Sequence, residues 1–249
     1  MDKHEMLART FGGRRPTARP ASARPQEAPA RPAPESPARP EVLEIDLEPG
    51  EAAYLRRSSL LLADGPFALR TQRVASRRLP ILGLFSGQNL WANRFEAQDG
   101  ALRLVAGRDY HGEVRDLKIA PDRPVAIKPA LYLGHSGDLS FTVQRMAKRE
   151  FWTMTRVTGT GTVHLKVPGR TLVRPLADNE VVVDTNAVAA VTGPFTAHGR
   201  VLTTNQYLRA GEAENVRLSG LGEVWLQSER PPQASGGGGI LGSLLEIFT

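Results

Sequence analysis

Short runs of alternating apolar and polar residues recur along residues 41–228 of the chain. The first run, Leu43 to Leu47, ends at Pro49 and Gly50, which turn the chain. The later runs are ALRLVAG, DLKIAPD, DLSFTVQ, TVHLKVPG, TLVRPLADNE, EVVVDTN and EVWLQS. Glycine, proline, asparagine or aspartate separates them every several residues. This pattern predicts an all-β fold built from short strands.

Two glycine-containing phrases each occur three times. One set of glycines is followed at the second and fourth positions by an apolar residue and a leucine: Gly100, Gly161 and Gly222. The second set ends an earlier apolar run: Gly65, Gly137 and Gly193. Counted back from the second set, Leu55, Ile127 and Val183 occupy matching positions. Both phrases predict a tight turn at the glycine beside a strand.

These repeats divide the body into three units, about 41–106, 115–167 and 171–228. One such unit cannot bury its apolar face alone, so neighbouring units are expected to share a core. A pseudo-threefold arrangement follows, and it would close sheet edges that otherwise invite aggregation. The segments that differ among the units are where we expect function to lie.

Composition separates an N-terminal arm from this body. Residues 1–40 carry +4 of the net charge of +6, which leaves +2 for residues 41–249. Eight of the 19 prolines lie in residues 16–40, among alanine and arginine, which predicts a disordered arm. The nearly balanced body does not favour binding of nucleic acid.

Several features of the sequence bear on the cellular compartment of the protein. The chain has no cysteine, which excludes disulfides. No apolar run approaches the roughly 18 residues of a membrane helix, and no secretory signal is recognisable. The arginine-rich arm suits a mitochondrial presequence, but its acidic residues and prolines oppose one. We therefore expect a bacterial cytoplasmic protein rather than a mitochondrial one.

Five segments, in this order, carry a family resemblance: VLEIDLEPGEAAYLRRSSLLLADG, GLFSGQNLWANRF, RVTGTGTVHL, VVVDTNAVAAVTG and GEVWLQS. With them, residues 41–232 resemble the altered inheritance of mitochondria protein 24 family, also called a mitochondrial biogenesis family. Most of its members are bacterial proteins of unknown role, and the chain resembles this bacterial type. The resemblance implies a β-sandwich or double-stranded β-helix fold, related in shape to the tryptophan RNA-binding attenuator. It implies no catalytic residues.

The titratable residues do not form a recognisable catalytic or metal-binding motif. The five histidines lack the short spacings of metal ligands, so we expect no metal and no cofactor. We expect His164 to face solvent from its strand and Asp184 to be a solvated charge at a strand end. Motifs for an activated serine or a phosphate-binding loop are absent, and we expect no enzymatic activity.

The long segment of the first unit is a candidate partner-binding surface. Glycines interrupt residues 79–93, so we expect a loop or extended chain there rather than a helix. Arginines precede a set of apolar residues suited to a protein or a membrane surface. These candidates are Leu82, Leu84, Phe85, Leu90 and Trp91. The alternative is that the segment folds back onto the core.

The C-terminus, residues 233–249, is a second candidate surface. A glycine tether precedes a short segment whose apolar residues share one helical stripe. They are Ile240, Leu241, Leu244, Leu245 and Phe248. Nine residues are too few for a stable isolated helix, so the segment is expected to dock on the body, a second subunit or another protein. The alternative is a frayed end.

Together these observations favour a non-enzymatic β scaffold that acts through self-association or an unknown protein partner. Contact with a membrane surface is compatible with the apolar segments, without a transmembrane span. The alternative is binding of RNA or a small ligand, by analogy of shape with the attenuator protein, although shape does not fix function.

Overall fold

The structure is a computed structural model that describes residues 40–76, 91–146, 152–177, 180–198 and 215–230. The chain divides into two units, Met1–Pro37 and Ala38–Thr249, and all described residues lie in the second. Their regular structure is β-strand throughout, apart from a 3₁₀ turn at Pro129–Leu131. The prediction of an all-β fold is therefore confirmed.

The strands fall into three consecutive parts of the chain. The first part contains β1 (Leu43–Leu47), β2 (Ala52–Arg56), β3 (Leu60–Asp64), β4 (Phe67–Arg73), β5 (Ala75–Ser76), β6 (Trp91–Ala97) and β7 (Leu102–Ala106). The middle part contains β8 (Gly112–Ile119), β9 (Val125–Ile127), β10 (Tyr132–Arg145) and β11 (Thr153–Pro168). The last part contains β12 (Thr171–Pro175), β13 (Val181–Asp184), β14 (Val188–Thr192), β15 (Phe195–His198), β16 (Asn215–Gly220) and β17 (Glu223–Gln227).

Strand pairing follows one scheme in all three parts. The closing strand lies between the opening strand and the third strand, in the orders β1-β7-β3 and β12-β17-β14. A second set of strands pairs in the orders β2-β6-β4 and β13-β16-β15. In the middle part, the long strands β10 and β11 take part in both sets, with β8 and β9 as their outer partners.

The length of β10 and β11 differs from the short strands expected there. β10 has 14 residues and β11 has 16, and Gly137 lies directly opposite Gly161 inside their antiparallel ladder. The tight turns predicted at these two glycines are therefore wrong. Since neither glycine carries a side chain, the two backbones approach closely and both strands continue through the position.

The glycines of the second set nevertheless have matching surroundings. Gly65, Gly137 and Gly193 all adopt positive φ angles, of 120°, 86° and 77°. A methyl group at Gly137 would lie 2.7 Å from the Cα atom of Gly161, and one at Gly193 would lie 3.0 Å from that of Gly222. A methyl group at Gly65 would lie 3.1 Å from the Cα atom of Leu102. Each position therefore requires glycine for its backbone angle and for space.

Each third strand also carries an irregularity at the same place in its ladder. The register shifts between Leu60 and Leu62 in β3, between Tyr132 and Gly134 in β10, and between Val188 and Ala190 in β14. The residues inserted at these bulges are Leu61, Leu133 and Ala189.

Two junctions join the three parts. At the first, β2 pairs antiparallel with β10, and at the second, β9 pairs antiparallel with β14. In both, the second strand of one part pairs with the third strand of the following part. Among the described strands, β3 and β13 are sheet edges that take part in no such junction.

Three apolar clusters form the core, and the bulges link them. One contains Leu55, Phe95 and Leu104 of the first part together with Leu133 of β10. A second is built mainly from the middle part and includes Ala189 of β14. The third belongs mainly to the last part. The bulge residue of a following part thus packs into the core of the part before it.

Candidate interaction surface

The edge formed by β3 and β4 is the most apolar exposed feature among the described strands. In the middle part, the matching edge of β10 is paired with β2 over residues 134–136 and with β5 at Phe141 and Thr142. In the last part, β14 is paired with β9 along the same side. Within the described residues, β3 and β4 have no strand in this place.

Five large apolar side chains are exposed along this edge. We call them the β3–β4 patch: Leu60, Leu61, Leu62, Phe67 and Leu69. Large contiguous apolar surfaces on soluble proteins are typical of interaction sites. The patch can therefore supply apolar contact area and unpaired backbone groups to an incoming strand.

The sequence contains a signal for this patch that the strand pattern alone did not reveal. Leu60, Leu61 and Leu62 are consecutive, and they break the alternation expected of a half-buried strand. The register shifts between Leu60 and Leu62 where β3 pairs with β7, and such a bulge interrupts the regular alternation of side chains between the two sheet faces.

A second free edge lies at the other end of the strand order. β13 pairs with β16 on one side, and its other side is open among the described strands. Val182 on this strand is 55% exposed, whereas Val183 beside it is buried in the core of the last part.

Of the ten residues predicted to bind a partner, the described residues include only Trp91. It begins β6 opposite Arg73 of β4 and is 39% exposed. Because side chains alternate along a strand, Trp91 shares a face of β6 with Phe95, which pairs with Leu69 of the patch. The other nine lie outside the described residues, and these predictions stay open: Leu82, Leu84, Phe85, Leu90, Ile240, Leu241, Leu244, Leu245 and Phe248.

The first junction contains a buried aromatic and histidine cluster. The rings of Tyr54 and His135 stack with centroids 4.3 Å apart, and the hydroxyl of Tyr132 lies 2.6 Å from Nδ1 of His135. Phe141 packs beside them. Burial lowers the pKa of His135 to about 3 and raises that of Tyr132, so both rings are neutral and the hydroxyl donates to Nδ1. The cluster therefore packs the junction.

The prediction that His164 faces solvent is wrong. The residue is 7% exposed, and its Nδ1 lies 2.7 Å from Oδ1 of Asp116 on β8. The hydrogen bond from His164 lowers the pKa of Asp116. The reason is that β11 is paired on both sides, with β8 and β10, and residues 163–168 are buried on both faces. Alternation could not reveal that both faces are covered.

Basic residues at the ends of the second strands cross both junctions. At the first, Nη1 of Arg56 donates to the carbonyl oxygens of Pro129 and Ala130, at 3.3 and 3.2 Å. At the second, Nζ of Lys128 donates to the carbonyl oxygen of Asn186 at 2.6 Å. Burial lowers the pKa of both cations.

Asp184 holds the position in β13 that matches Arg56 and Lys128. Its Oδ1 accepts from the backbone amide of Asn186 at 2.9 Å, and its Oδ2 lies 3.4 Å from Nη2 of Arg230. The carboxylate is thus partly engaged within its own part of the chain. The expectation of a merely solvated charge is wrong, because the turn after β13 folds back onto the carboxylate.

Three further features of the described part of the chain concern metal binding, a groove and membrane spanning. No three residues among its histidines, aspartates and glutamates gather in a way that could hold a metal ion. A groove beside β15 is lined by Pro124, Gln144, Met146, Arg156 and His198, among others. Within the same residues, no helix has the length and apolar character to cross a membrane.

Comparison with known proteins connects this architecture to a family. The model of the family described as Mitochondrial biogenesis AIM24 matches residues 36–229. The crystal structure of protein SPYM3_0169 from Streptococcus pyogenes is similar, with a TM-score of 0.62 and 19% sequence identity. The similarity covers 76% of this chain and 88% of that chain, and at this identity it concerns the fold. Among curated proteins, none matches the chain.

Proposed function

The chain belongs to the Mitochondrial biogenesis AIM24 family, and from this membership and its open strand edges we propose that it is a non-enzymatic β scaffold. It acts by assembling, either with further copies of itself or with a protein partner. The family match extends over nearly all of the described residues, so the scaffold and the family domain coincide.

The observation that carries the proposal is the β3–β4 patch. Leu61, Leu62 and Leu69 are each more than half exposed, although they lie on ordered strands. Burial of such side chains contributes roughly 1.5–3 kcal/mol each when they pass from water into an interface. Assembly therefore gives these leucines a favourable environment that the described part of the chain does not provide.

The buried titratable groups support a structural rather than a catalytic role. His135 and Tyr132 are enclosed at the first junction and bonded to each other. His164 is buried against Asp116. A general acid or base must reach its substrate, and these side chains pack between strands instead.

Three equivalent units related by a pseudo-threefold axis are part of the same proposal. The shared pairing scheme, the matched bulges and the positive φ angles of Gly65, Gly137 and Gly193 support it. A shape like that of the tryptophan RNA-binding attenuator is its further extension, based on the family resemblance. Repeated units suit a scaffold because each additional unit presents the same edge to its neighbour.

We place this scaffold in a bacterial cytoplasm. Its exposed apolar residues are also suited to contact with a membrane surface. The Streptococcus pyogenes structure supports a bacterial-type member. Fractionation of native cells should recover the protein with soluble components or, after a salt wash, from the membrane surface. Recovery from membranes only with detergent would oppose this placement.

The direct test of assembly is the mass of the full chain in solution. One chain has a mass of 27.1 kDa. We expect light scattering to give a multiple of this value that rises or saturates with protein concentration, or affinity purification from the native host to recover a partner in fixed ratio. A chain that stays at 27.1 kDa and recovers no partner in fixed ratio would overturn the scaffold proposal.

A further inference from the structure

We propose that a second copy of this chain covers the open edge of β3 and pairs it, head to tail, with the open edge of β13. Each molecule would then repeat between copies the junction that it builds twice within itself. This inference rests on the proposed function and deepens it, since it names the partner and the two strands that meet.

The register of the two internal junctions is the same. At the first, Leu55 of β2 pairs with Gly134 of β10, three residues before Gly137. At the second, Ile127 of β9 pairs with Ala190 of β14, three residues before Gly193. Both junctions therefore place the last core residue of a second strand opposite the same position of a third strand.

Applied to the free edges, this register predicts particular partners. Val183 of β13 matches Leu55 and Ile127, and Leu62 of β3 lies three residues before Gly65. The intermolecular pairs are then Val183 with Leu62, Val182 with Ala63, and Val181 with Asp64. Among the described strands, no part pairs with β3 from the side that β10 and β14 have covered, and no part pairs with the matching side of β13. Each of these two edges can therefore pair with the other.

The burial of the bulge residues follows the same logic. Leu133 and Ala189 are both 0% exposed, and each packs into the core of the preceding part. Leu61 holds the matching bulge in β3 and is 64% exposed. In the proposed pairing, Leu61 enters the core of the last part of the neighbouring copy, which is the environment that Leu133 and Ala189 already have.

The charges at the junction are complementary. Arg56 and Lys128 each donate to a turn of the following part, seven or eight residues before its glycine. The matching turn in the first part contains Arg57, whose side chain is exposed, and the residue that would face it is Asp184. In the proposed junction, the Asp184 carboxylate faces the Arg57 guanidinium, where the internal junctions have a cation facing a carbonyl oxygen. This charge pair favours one orientation of the second copy.

Head-to-tail pairing uses two different surfaces, so repeated contacts form a ring when the rotation between copies closes. Closure would also remove both free edges. Strand β3 carries three consecutive leucines, and its only charged residue is Asp64 at its end. If it stays unpaired, such an edge can pair non-specifically with other chains.

Cysteine cross-linking tests the register, because the chain has no cysteine of its own. Full-length Ala63→Cys and Val182→Cys variants are mixed in equal amounts and mildly oxidised. Paired residues in an antiparallel ladder have Cα atoms about 4.5–5.5 Å apart, which is within disulfide range. We expect a covalent dimer in the mixture and not in either variant alone. A mixture of Leu172→Cys and Leu221→Cys, at two exposed positions that lie off both edges, is the control and should form no covalent dimer.

Substitution at the bulge tests the contribution of Leu61. We expect Leu61→Asp to reduce the mass of the full chain to 27.1 kDa while far-ultraviolet circular dichroism stays unchanged. Leu221→Asp, at a 57% exposed position in the turn before β17, should keep the wild-type mass. Arg57→Glu should weaken association about tenfold, and adding Asp184→Lys should restore it by reversing the pair.

The outcomes distinguish this inference from the scaffold proposal. An assembled wild-type chain that forms no Ala63–Val182 cross-link, and that Leu61→Asp leaves assembled, overturns the pairing of β3 with β13 but leaves the scaffold. A disulfide within one chain of the Ala63→Cys/Val182→Cys double variant overturns the intermolecular junction. A monomeric wild-type chain overturns the inference, and the scaffold proposal then depends on a fixed-ratio partner alone.

Discussion

At the scale of single residues, neutral polar groups pack the first junction. His135 stacks on Tyr54 and accepts a hydrogen bond from Tyr132. Burial lowers its pKa from 6.5 to about 3 because a charged ring would lose its hydration there. The junction therefore favours the uncharged form of this histidine.

This burial predicts a pH dependence of stability. Below pH 6.5 the unfolded chain binds a proton on His135 that the folded chain does not bind until about pH 3. The free energy of unfolding should therefore fall with acidification, by up to about 1.4 kcal/mol per pH unit from this group. The slope can be measured by urea denaturation between about pH 6.5 and 5.5, where most carboxylates stay ionised in both states.

The matched variants isolate the contribution of His135. His135→Phe should remove the contribution of His135 to the pH dependence of the free energy of unfolding. Loss of the hydrogen bond to Tyr132 is expected to lower stability equally at every pH, so it does not alter this dependence. His111→Gln, at a position with a 94% exposed side chain, should keep the wild-type slope. Equal slopes for wild type and His135→Phe would contradict the assignment.

The repeated glycines allow a test of equivalence at the same scale. Gly65→Ala, Gly137→Ala and Gly193→Ala should each lower the free energy of unfolding by about 1–3 kcal/mol, because each imposes a side chain on positive φ and on a close backbone. Gly100→Ala should change it little, since the nearest atom to its new methyl group is 3.5 Å away. Unequal effects, with one of the three neutral, would count against equivalent units.

At the scale of elements, the alternating pattern predicts where strands lie better than how they are covered. The segment around Leu43–Leu47 was predicted as a strand and is β1. By contrast, the pattern gave short strands around Gly137 and Gly161, where β10 and β11 run through. Whether a glycine turns a chain depends on the strand opposite, and a single sequence does not reveal that strand.

The candidate surface was likewise predicted only in part from the sequence. Trp91 and nine residues outside the described ones were predicted from the sequence to bind a partner. The exposed leucines of β3, by contrast, lie in a segment that the pattern predicts only as a strand. A leucine run predicts burial, and Leu133 at the matching position is indeed buried. Leu61 is exposed because none of the described strands pairs with β3 as β2 pairs with β10 and β9 with β14, and this is a property of topology.

The terminal segments, residues 1–40 and 233–249, lie outside the described residues, except for Pro40. Their assignment as a disordered arm and a tethered apolar segment therefore stays a prediction. If the C-terminal segment docks on the β3–β4 patch of its own chain, it would compete with the proposed second copy. Truncation at Ser235 would then raise the number of chains in each assembly, whereas the proposed pairing predicts that this number stays the same.

At the scale of the whole molecule, the described strands leave two edges open, β3 and β13, which the proposed pairing brings together. Two internal junctions bury their bulge residues and their strand backbones, and the two free edges leave both exposed. The proposed self-association would repeat between molecules the pairing that the two internal junctions show within one molecule. In the proposed function, assembly completes the sheet pairing that the described strands leave open.

Hydrogen exchange of the β3 and β13 amides in the full-length protein tests this claim most directly. Peptide-level exchange is measured above and below the concentration at which the chain associates, beside Leu61→Asp. We predict that, when the chain is assembled, amides of Leu60–Asp64 and Val181–Asp184 are protected to the degree seen in β10 and β14, and that dilution or the variant removes this protection. Rapid exchange of both strands in an assembled sample, unchanged by Leu61→Asp, would contradict the account.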